Sequence, residues 1–277
     1  EKALEVAQQR GRGACVAFDP TCMDFHKSHA RSLLDVGEVF LDAFENGRLR
    51  MAYQPIIDVQ KNEVMFYESL LRAVDRRGKL IGADVLTPAL LKLGMIRIAD
   101  LFALRSALDE LEKHQDISLS VNVTQTSLVD PQWCAVLDQR LSLCPDLGRR
   151  LIVEIIETGK KESQQNMRPV IRNFKEKGVR FAVDDFGAGH TNFSEVLNLE
   201  IDILKIDKQF IAQSADAGRS AFFIEALQGL ANKIGIVTIG EGVETLKQKE
   251  SFLNQGVRAV QGYLYGRPSL EKAWCAA

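Results

Sequence analysis

The chain has 277 residues, of which 46% are hydrophobic and 26% are charged, and its formal net charge is −2. This composition is typical of a globular protein with one large domain or two small ones. The near-neutral charge argues against a nucleic-acid groove, and no window approaches the ~18 consecutive apolar residues of a membrane span. The first 18 residues lack the apolar core of a signal peptide. The five cysteines have no CxxC spacing, which favours free thiols in a reducing cytoplasm.

The first 50 residues predict two helices around a short strand. Residues 1–10 have a helical composition, and the apolar run "ACVAF" at 14–18 ends at Asp19-Pro20. Between Ala30 and Asn46, apolar residues recur at intervals of three and four, which is typical of an amphipathic helix. Asn46-Gly47 is a stop signal, so we expect this helix to end there.

From Met51 onward, short apolar runs rich in Val and Ile alternate with longer helix-like stretches. Strands separated by helices predict βαβ units and a mainly parallel sheet. Eight such runs in roughly 215 residues approach the size of a (β/α)8 TIM-like barrel, about 250 residues. Only "DVQKNE" joins the first two runs, which is too short for a parallel crossover, so we expect an antiparallel hairpin there. The runs are "MAYQPII", "VMFYESLL", "ISLSVNV", "LIVEII", "RFAVDDF", "IDILKID", "IVTIGE" and "RAVQGY".

Polar side chains interrupt almost every one of these runs, mostly near its C-terminal end. Strand ends from distant parts of the sequence converge at that end of a (β/α)8 barrel, and active sites form there. Each residue alone is weak evidence, because a single polar residue after a strand is usually a helix cap or solvated. Together they predict a common site. They are Glu68, Asn122, Glu154, Asp184, Asp185, Lys205, Asp207, Glu241 and Gln261.

The carboxylates in this set would repel one another without cations, even beside Lys205. Carboxylate and carboxamide oxygens suit Mg²⁺ or Mn²⁺ better than zinc. Of the four histidines only His190 lies near the predicted rim, and we interpret it as a loop residue without a catalytic role. Two metal ions with a neighbouring lysine can hydrolyse a phosphodiester, so the cluster favours that reaction without naming the substrate.

Two other motifs are weaker. "DFG" at 185–187 occurs in protein kinases, but the Gly-rich loop, the V-A-I-K lysine and the H-R-D loop of kinases are missing. "GAG" at 187–189 is not followed by G-K-[ST], so a hinge for a mobile loop is the better interpretation than a phosphate loop.

The chain resembles the EAL-domain family over about residues 50–270. The resemblance implies a (β/α)8-like barrel with one antiparallel strand. It also implies a cyclic di-GMP phosphodiesterase that uses Mg²⁺ or Mn²⁺, two ions per active site, and yields the linear dinucleotide 5′-pGpG. The motifs that carry it are "YQPIID" (53–58), "ESLLR" (68–72), "VNVT" (121–124), "VEIIET" (153–158), "DDFGAG" (184–189), "LKID" (204–207), "EGVE" (241–244) and "QGY" (261–263).

The resemblance also assigns roles to residues at matching positions. Lys205 matches the lysine that serves the attacking water, Glu157 the glutamate that anchors the loop after the two aspartates, and Glu244 and Gln261 supporting positions. Substrate contacts are implied for Gln54, Arg72 and Asp207, and an arginine fork can bind a phosphate in bidentate fashion. The metal-ligand positions are matched by Glu68, Asn122, Glu154, Asp184, Asp185 and Glu241.

The N-terminal residues 1–18 are similar to the end of a GGDEF (diguanylate cyclase) domain. We therefore expect a GGDEF remnant at 1–18, a linker helix at 19–48 and an EAL-type barrel at 49–277. Family resemblance also suggests a homodimer formed through about residues 191–199. An unrelated N-terminal extension, and packing of 191–199 within one chain, are the alternatives.

The sequence departs from the family pattern at several positions. The namesake triplet is "ESL", the loop after the aspartates is "GAGHTN", Ile156 replaces a usual threonine, and "TPALLKLG" (87–94) lacks the usual Ala-Glu pair. No departure removes a predicted metal ligand or the lysine. Two alternatives therefore stand beside an active phosphodiesterase: a weakly active or inactive receptor for cyclic di-GMP, and an unrelated metal-dependent barrel hydrolase.

Overall fold

The computed structural model of the chain describes residues 20–156, 164–186, 198–212 and 217–275. The predicted helix and strand within residues 1–18 lie outside these ranges. The first described element is helix α1 (Pro20–Glu45), which begins ten residues before the predicted start at Ala30. Proline at its first residue is compatible with a helix start, because the missing N–H has no partner there. The predicted stop is confirmed, since Gly47 follows with a φ of 62°.

All eight predicted runs are strands, and they close into a barrel. The ring order is β1-β9-β8-β7-β6-β5-β4-β2, and β2 pairs back with β1. The short β3 pairs only with β2 and was not predicted. The strands are β1 (Leu49–Asp58), β2 (Glu63–Val74), β3 (Leu80–Ile81), β4 (Leu119–Thr124), β5 (Leu151–Ile156), β6 (Arg180–Phe186), β7 (Ile203–Ile206), β8 (Val237–Gly240) and β9 (Ala259–Gln261).

Strand β1 is the single antiparallel member of the ring. It pairs antiparallel with both β2 and β9, while the pairs from β2 through β4 to β9 are parallel. The predicted hairpin between the first two runs is therefore confirmed. The structure is the (β/α)8 TIM-like barrel that the sequence predicts.

Helices cover the outside of the ring. Among the described residues, no helix combines the length and the apolar composition that crossing a membrane requires. After α1 the helices are α2 (Ala83–Lys92), α3 (Ile96–Lys113), α4 (Gln125–Leu128), α5 (Pro131–Leu143), α6 (Asp146–Arg150), α7 (Gln164–Glu176), α8 (Gln209–Ala212), α9 (Ala217–Ile234) and α10 (Leu246–Asn254), followed by a 3₁₀ turn at Ala273–Cys275.

The strands are buried on both faces, as a barrel requires. Side chains such as Val121, Val153 and Leu204 point outward into the main core beneath the helices. A smaller apolar layer fills the barrel interior, and it consists of Ile56, Phe66, Ile152, Ala182, Ile203, Ile239 and Ala259. This inner layer is the floor on which the polar residues of the site stand.

The end of α1 packs onto the barrel domain. Phe40 and Ala43 are fully buried in a cluster with Leu86 and Leu90 of α2 and with Ala73 of β2. The last turns of the helix are thus part of the domain's hydrophobic core. The division into a GGDEF remnant, a linker helix and a barrel domain stays a prediction.

Replacing Phe40 with Ala tests this packing. Because Phe40 is 0% exposed, Phe40→Ala should lower the free energy of unfolding by about 3–5 kcal/mol. Phe44, one turn later and 45% exposed, is the matched control, and Phe44→Ala should cost about 1 kcal/mol or less. Urea unfolding measures both. A loss for Phe40→Ala as small as that expected for Phe44→Ala would contradict this packing.

Candidate active site

The polar residues of the site form a second layer directly above the apolar floor. Because side chains alternate along a strand, residues two positions apart share a face. Each floor residue therefore has a polar neighbour two positions toward the rim, and in the antiparallel β1 this neighbour comes two positions earlier. The polar neighbours are Gln54, Glu68, Glu154, Asp184, Lys205, Glu241 and Gln261. Asn122 of β4 stands in the same way above Ser120.

Lys205 is the centre of this layer. Its ammonium nitrogen lies 2.8 Å from a carboxylate oxygen of Glu154 and of Glu241, 3.1 Å from Asp184 and 3.2 Å from Glu68. The side chain is 1% exposed. An ammonium group has three donors and one charge, so it cannot fully satisfy four carboxylates. The layer therefore carries excess negative charge when all its carboxylates are ionised.

The pKa shifts show how the chain without metal accommodates that charge. Burial raises the pKa of Glu154 to about 8, and burial also raises the pKa of Glu241 well above its usual range. Burial would lower the pKa of Lys205, but the carboxylates, with Asp184 the strongest, raise it instead. Lys205 thus remains an ammonium ion, while Glu154 and Glu241 are the groups that take up protons.

Glu68 is kept ionised by its neighbours. Burial opposes the ionised form, but the charge of Lys205 and the hydrogen bonds of two amides lower the pKa of Glu68. Gln261 donates to it at 2.6 Å and Asn122 donates at 2.7 Å. Gln261 also donates to Gln54, which in turn donates to the backbone of Gly266. These contacts fix the orientation of the Glu68 carboxylate.

The oxygen atoms of the layer fit a hard divalent cation. One oxygen each of Glu68, Glu154 and Asp184 lie within 4.8 Å of one another. Among the described residues, Asn122 Oδ1 and Glu154 Oε1 are buried without a hydrogen-bond partner. Buried acceptors without partners are costly, and a cation would satisfy them. Carboxylate and amide oxygens are the ligands that hard cations prefer in proteins.

Comparison with known proteins decides the family. The family model of the EAL domain matches residues 38–268. The chain belongs to the EAL domain family. The match agrees with the resemblance predicted over about 50–270, and it removes the alternative of an unrelated barrel hydrolase.

Curated relatives of this EAL domain include proteins of cyclic di-GMP signalling. NbdA of Pseudomonas aeruginosa, a cyclic di-GMP phosphodiesterase, is 29% identical over 85% of this chain and 31% of its own length. PdeB of Escherichia coli K12, a probable cyclic di-GMP phosphodiesterase, is 27% identical over 82% of this chain and 44% of its own length. The chain thus spans less than half the length of these relatives.

The barrel also resembles solved EAL structures. The FimX EAL domain of Pseudomonas aeruginosa, solved bound to c-di-GMP, matches with a TM-score of 0.77 and 21% identity. The match covers 86% of this chain and 97% of that one. At 21% sequence identity, this similarity shows a shared fold only.

Some predicted site residues of the EAL domain stand apart from the central cluster. Arg72 lies further along β2, where burial lowers its pKa against the opposing charges of Asp84 and Glu68. Asp207 accepts a hydrogen bond from the backbone N–H of Gln209 at 2.7 Å. Glu244 is exposed in the turn before α10.

Two further predicted residues fall outside the description. Asp185 belongs to β6, but its side chain is not described. Glu157 and the loop "GAGHTN" lie outside the described residues. The substituted Ser69 is buried next to Glu68 in β2 and, by strand alternation, points to the opposite face. With serine at position 69, Glu68 still makes its contacts with Asn122, Gln261 and Lys205.

Sequence reasoning missed Asp100, which supports the rim from outside the barrel. This residue of α3 is 6% exposed, and its carboxylate accepts hydrogen bonds from the backbone N–H and the hydroxyl of Thr124 at 3.0 and 2.8 Å. Thr124 caps α4 and lies two residues after Asn122. The available signal was an aspartate on the apolar stripe of a helix, between Ile96 and Leu104.

Replacing Asp100 should loosen this end of β4. Asp100→Ala removes the acceptor of the buried Thr124 N–H and one of the partners of its hydroxyl, which keeps Ser127 at 3.0 Å, so we expect a loss of about 2 kcal/mol in the free energy of unfolding. Asp100→Asn keeps an acceptor and should lose about 1 kcal/mol. The control on the same helix is Asp109→Ala, which removes an exposed ion pair with Arg140 and should cost under about 1 kcal/mol. Urea unfolding measures all three variants. An equal loss in the free energy of unfolding for Asp109→Ala and Asp100→Ala would contradict this role of Asp100.

Proposed function

We propose that this EAL domain hydrolyses cyclic di-GMP to 5′-pGpG with Mg²⁺ or Mn²⁺. One observation carries the proposal: a buried lysine held by four carboxylates at the C-terminal mouth of the barrel, beside amide and carboxylate oxygens without partners. The family supplies the substrate class, since relatives in it are named cyclic di-GMP phosphodiesterases. The proposed metal ligands are Glu68, Asn122, Glu154, Asp184, Asp185 and Glu241.

The chain's own residues would do most of the positioning. When bound, two divalent cations would supply Lewis acidity toward a water molecule and the phosphoryl oxygens. Gln261 and Asn122 hold the Glu68 carboxylate in place. Amides suit this task because they donate to a carboxylate without adding a charge.

Lys205 has two tasks in this proposal. Its ammonium group can orient the attacking water and offset the charge that develops on the phosphoryl oxygens. Its pKa is raised by the negative charge of the carboxylates that face it, with Asp184 the strongest contributor. Where those carboxylates are shared with cations, the pKa of Lys205 falls, and its nitrogen becomes a better acceptor for the proton of the water.

Substrate contacts are proposed for three residues around the centre. Arg72 lies on the same face of β2 as Glu68, four residues further along the strand. Its guanidinium group suits a phosphate there. Gln54 and Asp207 complete the set. Supporting roles are proposed for Glu244 and Gln261, and for Glu157 as the anchor of the loop after the aspartates.

A turnover assay tests the proposal. The purified chain with Mg²⁺ or Mn²⁺ should convert cyclic di-GMP to 5′-pGpG, and EDTA should stop it. Lys205→Ala and Glu68→Ala should each lower kcat by at least about 1,000-fold, because each removes a group that faces the reacting atoms. Separation of the nucleotides by chromatography measures the product.

Matched variants control for the substitution itself. Lys208→Ala and Glu63→Ala remove the same side chains at exposed positions and should leave turnover within about twofold, since surface changes are usually small. Binding of cyclic di-GMP without any turnover in either metal would overturn the enzymatic proposal.

That outcome would support the alternative, a receptor that binds the nucleotide without hydrolysing it. The altered loop sequence "GAGHTN" motivates this alternative. The receptor hypothesis also expects an affinity that does not depend on metal. Calorimetric titration of cyclic di-GMP with and without EDTA, beside the turnover assay, separates the two functions.

We also propose that the chain forms a homodimer through about residues 191–199. The support is family resemblance, and most of that segment lies outside the described residues. Light scattering during size-exclusion chromatography should give twice the chain mass of 30.9 kDa. A mass of one chain at tens of micromolar would contradict it.

A further inference from the structure

The C-terminal segment after β9 is fastened to the outside of the barrel. Ser269 pairs with Tyr53 of β1 through two backbone hydrogen bonds of 2.8 and 3.0 Å. Further along, the Trp274 ring packs against Tyr53 and Tyr67, with centroid distances of 4.8 and 4.7 Å. This segment therefore covers the outer face of β1 and β2, and it brings the residues around Trp274 to the end of α3.

A buried carboxylate at the end of α3 receives this segment. Glu110 is 4% exposed. Its Oε2 accepts from Lys272 Nζ at 2.6 Å, and its Oε1 accepts from Trp274 Nε1 at 3.2 Å. The Nε2 atom of His114, one helical turn later, lies 3.2 Å from the same Oε1.

A thiol completes the cluster. Cys275 is a free cysteine, and its Sγ lies 3.8 Å from His114 Nε2. One ligand atom each of Glu110, His114 and Cys275 lies within 4.8 Å of the other two. The three atoms therefore lie close together outside the barrel, on the face of β2 opposite to Glu68.

Two of the three spacings between these atoms are close to those of a tetrahedral zinc site. Zinc bonds of about 2.0–2.1 Å to nitrogen and oxygen and about 2.3 Å to sulfur place O and N about 3.4 Å apart, and N and S about 3.6 Å apart, at a tetrahedral angle. The observed distances are 3.2 and 3.8 Å. A thiolate and an imidazole also select zinc over Mg²⁺, which prefers oxygen ligands.

We propose that Glu110, His114 and Cys275 bind Zn²⁺, with a water molecule in the fourth position beside the exposed Cys275. The indole N–H of Trp274 orients the ligating oxygen of Glu110, as partners of metal-bound carboxylates commonly do. Lys272 stays on the other oxygen. A bound ion would join the last residues of the chain to α3, and this inference does not depend on the proposed hydrolysis.

Cobalt titration of the full chain tests the site, with the thiols kept reduced. Co²⁺ takes the place of zinc, and a thiolate ligand gives it a charge-transfer absorption band in the near ultraviolet. The oxygen ligands at the barrel mouth give no such band. We expect the band in the unmodified chain, and we expect added Zn²⁺ to remove it by displacing the cobalt.

Variants identify the ligands. Cys275→Ser should abolish the band, while Cys144→Ser, a change of another free thiol, should keep it. His114→Gln should weaken Zn²⁺ binding at least tenfold in competition with a chromophoric chelator. Thermal melts by circular dichroism check that each variant folds. No band in the unmodified chain, or a band that survives Cys275→Ser, would overturn the proposal.

Discussion

The burial of one ammonium group among four carboxylates is the constraint on which this EAL domain depends. Lys205 is almost fully buried, and four strands must end at the right height for their carboxylates to reach its nitrogen within 3.2 Å. A buried ion pair rarely stabilises a fold by itself, because desolvation offsets the attraction. The arrangement therefore costs stability that the surrounding core must supply. Such a cost is expected where binding or chemistry requires the charges.

The two-residue period of the strand explains how the barrel supplies that support. Each polar residue of the mouth stands two positions from a residue of the floor, which is apolar in every strand of the ring except β4, while the intervening residue points outward into the core beneath the helices. A shift of one residue in any strand would exchange the two faces and bury the charge beneath the helices. Because the ring closes, residues as far apart in sequence as Gln54 and Gln261 lie at the same opening of the barrel. The antiparallel β1 delivers Gln54 from the reverse direction without breaking the layering.

The same period explains which parts could be predicted from sequence. Alternation is local, so the eight strands and the layer from Glu68 to Gln261 were readable as polar interruptions of apolar runs. Family resemblance added candidate roles that geometry alone does not give. The features that the sequence did not predict depend mostly on contacts between residues far apart in the chain. The two-residue β3 exists through its pairing with β2. Asp100 matters through Thr124, 24 residues away, and the start of α1 at Pro20 has no apolar period to mark it.

The C-terminal segment shows the same limit, since Trp274 and Glu110 are 164 residues apart and no sequence pattern links them. This segment covers part of the outer surface of the barrel. The connection from β1 to β2 is a hairpin without a helix, and Trp274 packs against Tyr53 and Tyr67 on the outer face of these two strands. The two clusters of the domain then differ in chemistry as well as in place. Oxygen ligands at the mouth favour hard cations, while a thiolate and an imidazole on the outside favour zinc. A hard ion such as Mg²⁺ would therefore be disfavoured at the outer cluster.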